Sequence, residues 1–300
     1  MRIGIDLGGS KIEIVLLDPD GGIRYRERRP TPQGEYAATL HVVAGLVRDA
    51  ESALALVGGI PVGIGIPGSV SPVTGRVRNA NSVCLIGEDL AGDLTHLLQR
   101  PVRLANDADC FALSEATDGA GAGDGIVFGV ILGTGVGGGV VIHRQLLSGP
   151  NAIAGEWGHN PLPWPLPDEL PGPPCYCGQR GCIETFLSGP GLSRACEALT
   201  GIRRAPAEIA ALADQGDPQA ERLLSDYEDR LARALAGVIN ILDPHVVVLG
   251  GGMSNLTRLY RNVPDRWRRH IFCDHPVTRL VQARFGDSSG VRGAAWLWPG

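Results

Sequence analysis

The chain has 300 residues, 44% of them apolar and 20% charged, a balance that excludes a disordered chain, a coiled coil and a collagen. It is long enough for two domains with cores of their own. A net charge of −5 is not that of a protein built to coat DNA or an anionic membrane. Two counts stand out. Glycine occurs 43 times, about twice the usual share, and every basic residue except Lys11 is arginine. That one ammonium follows directly on Gly8-Gly9-Ser10.

The chain opens with a strand pattern, Arg2 to Leu7, broken by Gly8-Gly9-Ser10 and resumed from Ile12 to Leu17, which predicts a hairpin with glycines at its tip. Asp6 interrupts any signal-peptide apolar core, so a cytoplasmic protein is expected. Residues 36–57 place Leu40, Val43, Leu46 and Val47 at helical spacing, and Val62 to Ile66 reads as a short buried strand closed by Pro67-Gly68. A further strand, Val102 to Ala105, ends in Asn106-Asp107-Ala108-Asp109 and leads to a helix over Cys110 to Ala116. A polar cluster between a strand and a helix is where α/β sheets keep ligand groups.

The first pattern then recurs. Strand Ile126 to Leu132, glycine turn Gly133 to Gly139 and strand Val140 to Ile142 repeat the opening hairpin. The uncharged run Gly125 to Ile142 has the length of a membrane span, but its seven glycines favour two buried strands around a turn. A third turn, Gly250-Gly251-Gly252, follows the strand Val246 to Leu249 after an amphipathic helix that includes Leu231, Leu235 and Val238. Glycine turns suit polyphosphate, because backbone N–H groups can reach the oxygens where no Cβ intervenes. There is no Gly-x4-Gly-Lys-Ser/Thr loop. Gly133 to Gly138 fits the loose dinucleotide pattern but runs into a strand rather than a helix, which argues against NAD. A nucleotide between two related halves is the reading that remains.

Four cysteines, Cys84, Cys110, Cys196 and Cys273, are scattered, while Cys175, Cys177 and Cys182 fall within eight residues. With His159 these three thiols make the nitrogen-and-sulfur donor set of a closed, tetrahedral structural zinc site. Four protein ligands leave no open position for catalysis by the metal. A nucleic-acid-binding zinc ribbon would bring basic residues and a second cysteine pair. Here the neighbours are Pro161, Pro163, Trp164, Pro165, Pro167 and Pro171, with Glu156 and Glu184 the nearest acids.

Taken together, Asp6-Leu7-Gly8-Gly9-Ser10-Lys11, Asn106-Asp107-Ala108, Gly133-Thr134-Gly135, Gly155-Glu156-Trp157-Gly158-His159, the Cys175 to Glu184 block and Leu249 to Gly252 resemble the ROK family of sugar kinases over nearly the whole chain. Within it the stretch Gly155 to Trp164, with Cys175-Tyr176-Cys177 and Asp287 to Trp298, looks most like bacterial fructokinases with side activity on mannose. The resemblance implies an α/β, two-domain actin/hexokinase-like fold with ribonuclease H-like halves. It also implies ATP and a hexose in the cleft between the domains, and a homodimer. The domains expected are 1–118 plus 289–300, and 119–288 with the zinc loop.

The resemblance also assigns roles. Asp107 matches the base that takes the proton of the attacking hydroxyl. A helix N-cap is the alternative use of an Asp at such a junction. Asp6 matches the residue that helps hold Mg2+, while Gly8, Gly9, Ser10 and Lys11, Gly133, Thr134 and Gly135, and Gly250, Gly251 and Gly252 would surround ATP. Gly68, Asn81, Asn106, Asp107, Glu156, His159 and Glu184 would receive the sugar, and His159, Cys175, Cys177 and Cys182 would bind zinc. Asp109 departs from the relatives, which often carry Asn, and is left out of the chemistry. Phosphorylation of D-fructose at the 6-hydroxyl is the activity expected, with mannose or glucose as side substrates. A glucokinase or an N-acetylhexosamine kinase is the alternative within the family. Sugar-sensing repressors of the family carry a winged helix-turn-helix ahead of the first hairpin. With five residues before Asp6 no such module is expected, and the retained Asp107 argues against a silent sugar-binding protein.

Overall fold

The computed structural model describes residues 1–56, 58–80 and 82–298. The chain forms two units, one of Met1–Gly123, Gly139–Ala154 and Arg284–Gly300, the other of Asp124–Gly138 and Gly155–Ala283. Segments 119–123, 139–154 and 284–288, placed with the second domain by the sequence reading, fall here in the first unit.

In chain order the elements are β1 (Arg2–Leu7), β2 (Lys11–Leu17), β3 (Ile23–Pro30), α1 (Tyr36–Ala53), β4 (Val62–Ile66), a small hairpin of β5 (Ser69–Val70) and β6 (Val77–Arg78), α2 (Leu90–Leu98), β7 (Val102–Asn106) and α3 (Asp107–Thr117). There follow β8 (Ile126–Leu132), β9 (Val136–Ile142), β10 (Gln145–Leu146), α4 (Ile183–Leu187), α5 (Gly189–Thr200), α6 (Pro206–Asp214), α7 (Pro218–Leu242), β11 (Val246–Gly250), α8 (Leu259–Trp267), β12 (Arg279–Gln282) and α9 (Ser289–Trp296). The first sheet has the order β3-β2-β1-β4-β7 and the second the order β10-β9-β8-β11-β12. Numbered within each half, both read third, second, first, fourth, fifth. The repeat seen in the sequence as strand, glycine tip and strand therefore extends to a whole five-stranded sheet.

In the first unit β1 is antiparallel to β2 and parallel to β4, which is parallel to β7. Ile3, Ile5, Leu7, Ile64 and Ile66 are fully buried, as expected of strands covered on both faces. One face packs on Val43, Leu46 and Val47 of α1 and Leu90 and Leu94 of α2. The other takes α9 at very close range: a Cβ at Gly4 would lie 2.3 Å from the Val291 carbonyl oxygen, and one at Gly63 only 1.8 Å from that of Ala294. Gly293 of α9 is as tightly held, 1.6 Å from the Cys110 oxygen of α3 by the same measure. Part of the glycine excess thus serves close backbone packing rather than turns.

Strand β3 is an edge strand that the sequence reading missed. Its side chains are largely exposed, so hydrophobic burial leaves little pattern. What holds it is the ladder to β2 and the carboxylate of Glu13, buried on β2, which pairs with Arg26 at 2.5 Å and Arg28 at 2.7 Å. The expected glycine turn at 133–139 is shorter than anticipated, because Gly137, Gly138 and Gly139 belong to β9. They are small for packing reasons, since a Cβ at Gly138 would come within 3.0 Å of Trp157 and one at Gly139 within 2.8 Å of the Ala108 oxygen. The uncharged run Gly125 to Ile142 is accordingly strand, turn and strand. Among the described residues no helix is long and apolar enough to cross a membrane.

Candidate functional site

In the first unit the proposed catalytic residues gather at the ends of β1, β4 and β7. The turn between β1 and β2 is closed by the Gly8 amide, which donates to the Lys11 carbonyl at 3.0 Å. At the end of β7, Asn106 is the N-cap of α3, its side-chain oxygen accepting from the Ala108 amide at 2.7 Å. The same side chain donates through Nδ2 to the Gly68 carbonyl at 3.0 Å. Asp107 is consequently the first residue of α3 rather than its cap, though its Oδ1 also accepts from the Ala108 amide at 2.8 Å. Asp107 reaches solvent, but desolvation by the protein around it pushes its carboxyl above the ordinary aspartate range, against the pull of that amide. Asp6 is pushed up to about 6, mostly by burial and then by the neighbouring charges of Asp107 and Glu13, while Lys11 and Arg28 act the other way. Two neighbouring carboxyls with raised proton affinity, Asp6 partly covered and Asp107 open to solvent, are an arrangement that gains from a cation between or beside them.

Gly68 was expected to let backbone approach the sugar. It has φ +107, and a Cβ there would lie 2.6 Å from the Arg78 oxygen. The β5–β6 hairpin is therefore one partner that requires this glycine. Asn81 lies outside the described residues.

The second unit carries the four residues expected to bind zinc. His159 Nδ1 is 3.5 Å from Cys175 Sγ, Cys177 and Cys182 Sγ are 3.6 Å apart, and all four ligand atoms lie within 4.8 Å of one another. Zn–S bonds near 2.3 Å in a tetrahedron separate sulfurs by about 3.8 Å, so the residues fit the metal. The three cysteines are free thiols. The Gln179 amide holds the Cys177 thiol down to about 7, while burial pushes Cys182 up to about 12. Cys182 is the N-cap residue of α4, the helix that carries Glu184. His159 is set by the residues before it: Trp157 is buried, its indole donates to the Gly137 carbonyl at 3.0 Å and stands edge-on to Phe128, and Gly158 faces the Val136 oxygen at a distance no side chain would permit. The donor cluster therefore joins the segment of Glu156 and His159 to the helix of Glu184.

Tyr176, between the first two cysteines, was given no role in the site from the sequence. Its hydroxyl is 2.9 Å from His159 Nε2, the ring nitrogen that faces away from Cys175. Although its ring is largely exposed, partial desolvation and then the charges of Glu184, Cys175 and Glu156 push the tyrosine upward. The Tyr176 phenol is thus held edge-on against the His159 imidazole. A metal-ligating histidine is oriented by what its second nitrogen touches, and a tyrosine beside the donors was the available signal.

The other two glycine turns of the sequence lie side by side in this unit. Gly133 N donates to the Gly135 carbonyl at 2.9 Å, with Thr134 exposed at the tip. Gly251 has φ +78, and a Cβ there would lie 2.5 Å from the Leu132 oxygen, so the turn after β11 backs onto the end of β8. The Glu184 carboxylate accepts the Val136 amide at 3.0 Å just after the first of these turns.

A duplicated sheet with a glycine turn between its first two strands, and a carboxyl where a strand becomes a helix, is the architecture of the hexokinase-like ATPases. Two solved structures share it: a ROK hexokinase from Thermus thermophilus (TM-score 0.86, 32% identity, 98% of this chain and 96% of that one) and a ROK family glucokinase from Streptomyces griseus, in complex with glucose and AMPPNP (TM-score 0.75, 29% identity, 99% and 98%). The ROK family model matches residues 2–300, and the chain belongs to the ROK family, as one of its sugar kinases. An N-acetyl-D-glucosamine kinase of Yersinia pseudotuberculosis is 40% identical over 301 residues, covering 99% of this chain and 98% of that protein.

Proposed function

We propose that the protein transfers the γ-phosphoryl group of ATP to the 6-hydroxyl of N-acetyl-D-glucosamine. The observation that carries this reading is the full-length likeness to N-acetyl-D-glucosamine kinases. It favours the amino sugar over fructose, the substrate expected from motif likeness. The hexoses in question differ at C1 and C2, and no single side chain in the sequence encodes that choice.

Asp107 accepts the proton of the 6-hydroxyl as it attacks. A carboxyl whose affinity for protons is raised by desolvation is better matched to that task than an ordinary aspartate. Asp6 would hold Mg2+, which when bound neutralises phosphate charge, and the turns Gly8–Ser10, Gly133–Gly135 and Gly250–Gly252 would receive the phosphates and adenosine, the Gly8 and Gly133 amides being already held within their own turns. Lys11, exposed at the start of β2 yet close enough to act on Asp6, adds a point charge beside the first turn. Glu156, His159 and Glu184 orient sugar hydroxyls together with Asn106, whose amide is already half engaged by Gly68 and Ala108. Zinc has no part in the transfer and fixes the loop geometry.

The test is ADP release in a coupled assay across N-acetylglucosamine, N-acetylmannosamine, glucose, mannose and fructose. The highest kcat/KM is expected with N-acetylglucosamine. A higher value with fructose would restore the fructokinase reading.

A further inference from the structure

The turn at Gly8-Gly9-Ser10 has its carbonyl side fully occupied. Thr31 Oγ1 donates to the Gly8 carbonyl at 2.7 Å, Gln33 Nε2 to that of Gly9 at 2.5 Å, and the Thr31 amide to that of Ser10 at 3.1 Å. Three successive carbonyls are thus held by one short segment, Thr31-Pro32-Gln33, just past the end of β3. That segment is itself stiff. Thr31 is buried, Pro32 has a fixed φ and confines the residue before it to extended backbone, and Pro30, lacking an N–H, leaves the last bond of the β2–β3 ladder to Thr31.

Across a trans peptide the C=O of one residue and the N–H of the next point in opposite directions. With the Gly8 and Gly9 carbonyls turned to residues 31–33, the amides of Gly9 and Ser10 are turned the other way. A glycine-rich turn left to itself samples many orientations, and fixing one of them costs conformational entropy at the moment of binding. A brace that fixes it beforehand removes that cost.

We infer that Thr31 and Gln33 are positioning residues for the nucleotide: by gripping the carbonyls of Gly8, Gly9 and Ser10 they hold the turn's amides ready for the phosphates of ATP. The inference rests on the reading of the protein as an ATP-dependent sugar kinase. Neither residue needs to touch the nucleotide, and neither belongs to the family motif that marks the turn. The contribution of each is that of a neutral hydrogen bond to a preorganised site.

The experiment measures AMPPNP affinity by titration calorimetry, together with the KM for ATP and for N-acetylglucosamine, in the wild type and in Thr31→Val, Thr31→Ser, Gln33→Leu and the Val/Leu double variant. Thr31→Val and Gln33→Leu should each weaken AMPPNP and raise the KM for ATP by roughly 3- to 10-fold, and the double variant by more, with the sugar KM unchanged. Thr31→Ser, which keeps the hydroxyl, should restore wild-type affinity. Gln33 is exposed, so Gln33→Leu keeps the fold and carries the test alone should Thr31→Val unfold. Unchanged nucleotide affinity in Gln33→Leu and the double variant would overturn the brace, as would a loss shared equally by ATP and sugar. Failure of the wild type itself to bind AMPPNP would instead overturn the kinase reading, and the brace with it.

Discussion

The Glu184 carboxylate accepts the Val136 amide at 3.0 Å, which ties a candidate sugar ligand on α4 to the strand that leaves a candidate phosphate turn. Gly135 lies under that bond: a Cβ built on it would be 2.7 Å from Glu184 Oε2. Because the nearest atom is the end of a flexible side chain, Gly135→Ala should displace the carboxylate without unfolding the domain. Loss of one hydrogen bond to a charged group is worth roughly tenfold or more, so the sugar KM is expected to rise on that scale with little change in Tm. Steady-state kinetics with sugar and ATP varied separately decide it. An unaltered sugar KM would detach Glu184 from the sugar.

Asp107→Asn should keep sugar affinity and lower kcat by about 10²- to 10⁴-fold, the usual contribution of a general base. The same substitution has a stability signature. Desolvation raises the folded-state pKa of Asp107, so as pH climbs the unfolded chain releases this proton first. Stability is then lost from the ordinary aspartate range up to the folded value, and above that the loss is complete. Asp107→Asn, which removes the ionisation and keeps an oxygen for the Ala108 amide, should therefore melt higher than the wild type at neutral pH. The gap should close as the pH falls below the ordinary aspartate range. Scanning calorimetry at several pH values checks both ends, and an equal gap throughout would count against the desolvated charge.

The hairpin of β1 and β2, the buried β4, β8 and β11 and the cluster of His159 with Cys175, Cys177 and Cys182 were legible in the sequence because each leaves a pattern that local physics dictates: apolar runs broken by glycine, or thiols at ligand spacing. Edge strand β3 was not, since Arg24, Arg26 and Arg28 pair with Asp18 and Glu13 and bury little. Tyr176 escaped because its role depends on where His159 Nε2 points, and Thr31 and Gln33 because carbonyl hydrogen bonds carry no residue signature. Glycine misled in one respect. Gly4, Gly63 and Gly293 are explained by backbone contacts of α9 with the sheet and with α3, which no spacing rule in a single sequence reveals.

Removing zinc should weaken sugar more than nucleotide. The donors join the Glu156–His159 segment to α4, while the Gly250–Gly252 turn rests on the β8 backbone. Chelation should release one metal ion per chain, expose three reactive thiols, and lower N-acetylglucosamine affinity at least several-fold with AMPPNP affinity retained. Tyr176→Phe, which removes the hydroxyl from His159 Nε2, should retain zinc less firmly by about tenfold in a chelator competition. Equal sugar affinity with and without zinc would sever the link between metal and substrate.

Glu115 of α3 is fully buried and accepts from the Ala120 amide at 2.8 Å, the Arg284 amide at 3.0 Å and the Ser289 hydroxyl at 2.8 Å. It therefore gathers the segment after α3 and the segment before α9 onto the helix that begins with Asp107. Glu115→Ala leaves four donors without this acceptor, the fourth being the Phe285 amide at 3.4 Å, and each buried orphan costs about 1–3 kcal/mol. A loss of about 3 kcal/mol or more is expected from urea denaturation at constant m-value, with Glu115→Gln intermediate. A change below about 1 kcal/mol would mean that water replaces the carboxylate.

Lys11 returns the matter to composition. A preference for arginine accounts for the lysines that are missing but not for the one retained, exposed beside the Gly8–Ser10 turn and near enough to Asp6 to lower its proton affinity. A compact ammonium there acts on phosphate through charge alone, and that dictates how its removal should look. Lys11→Met should raise the KM for ATP roughly 3- to 10-fold at low ionic strength and leave the sugar KM unchanged. The difference should shrink as added salt brings the screening length to about 3–10 Å. Lys11→Arg, with the same charge on a longer and planar group, should recover most of the loss. An ATP dependence identical in Lys11→Met and the wild type at low salt would mean that the ammonium points along the hairpin to solvent and takes no part in nucleotide binding.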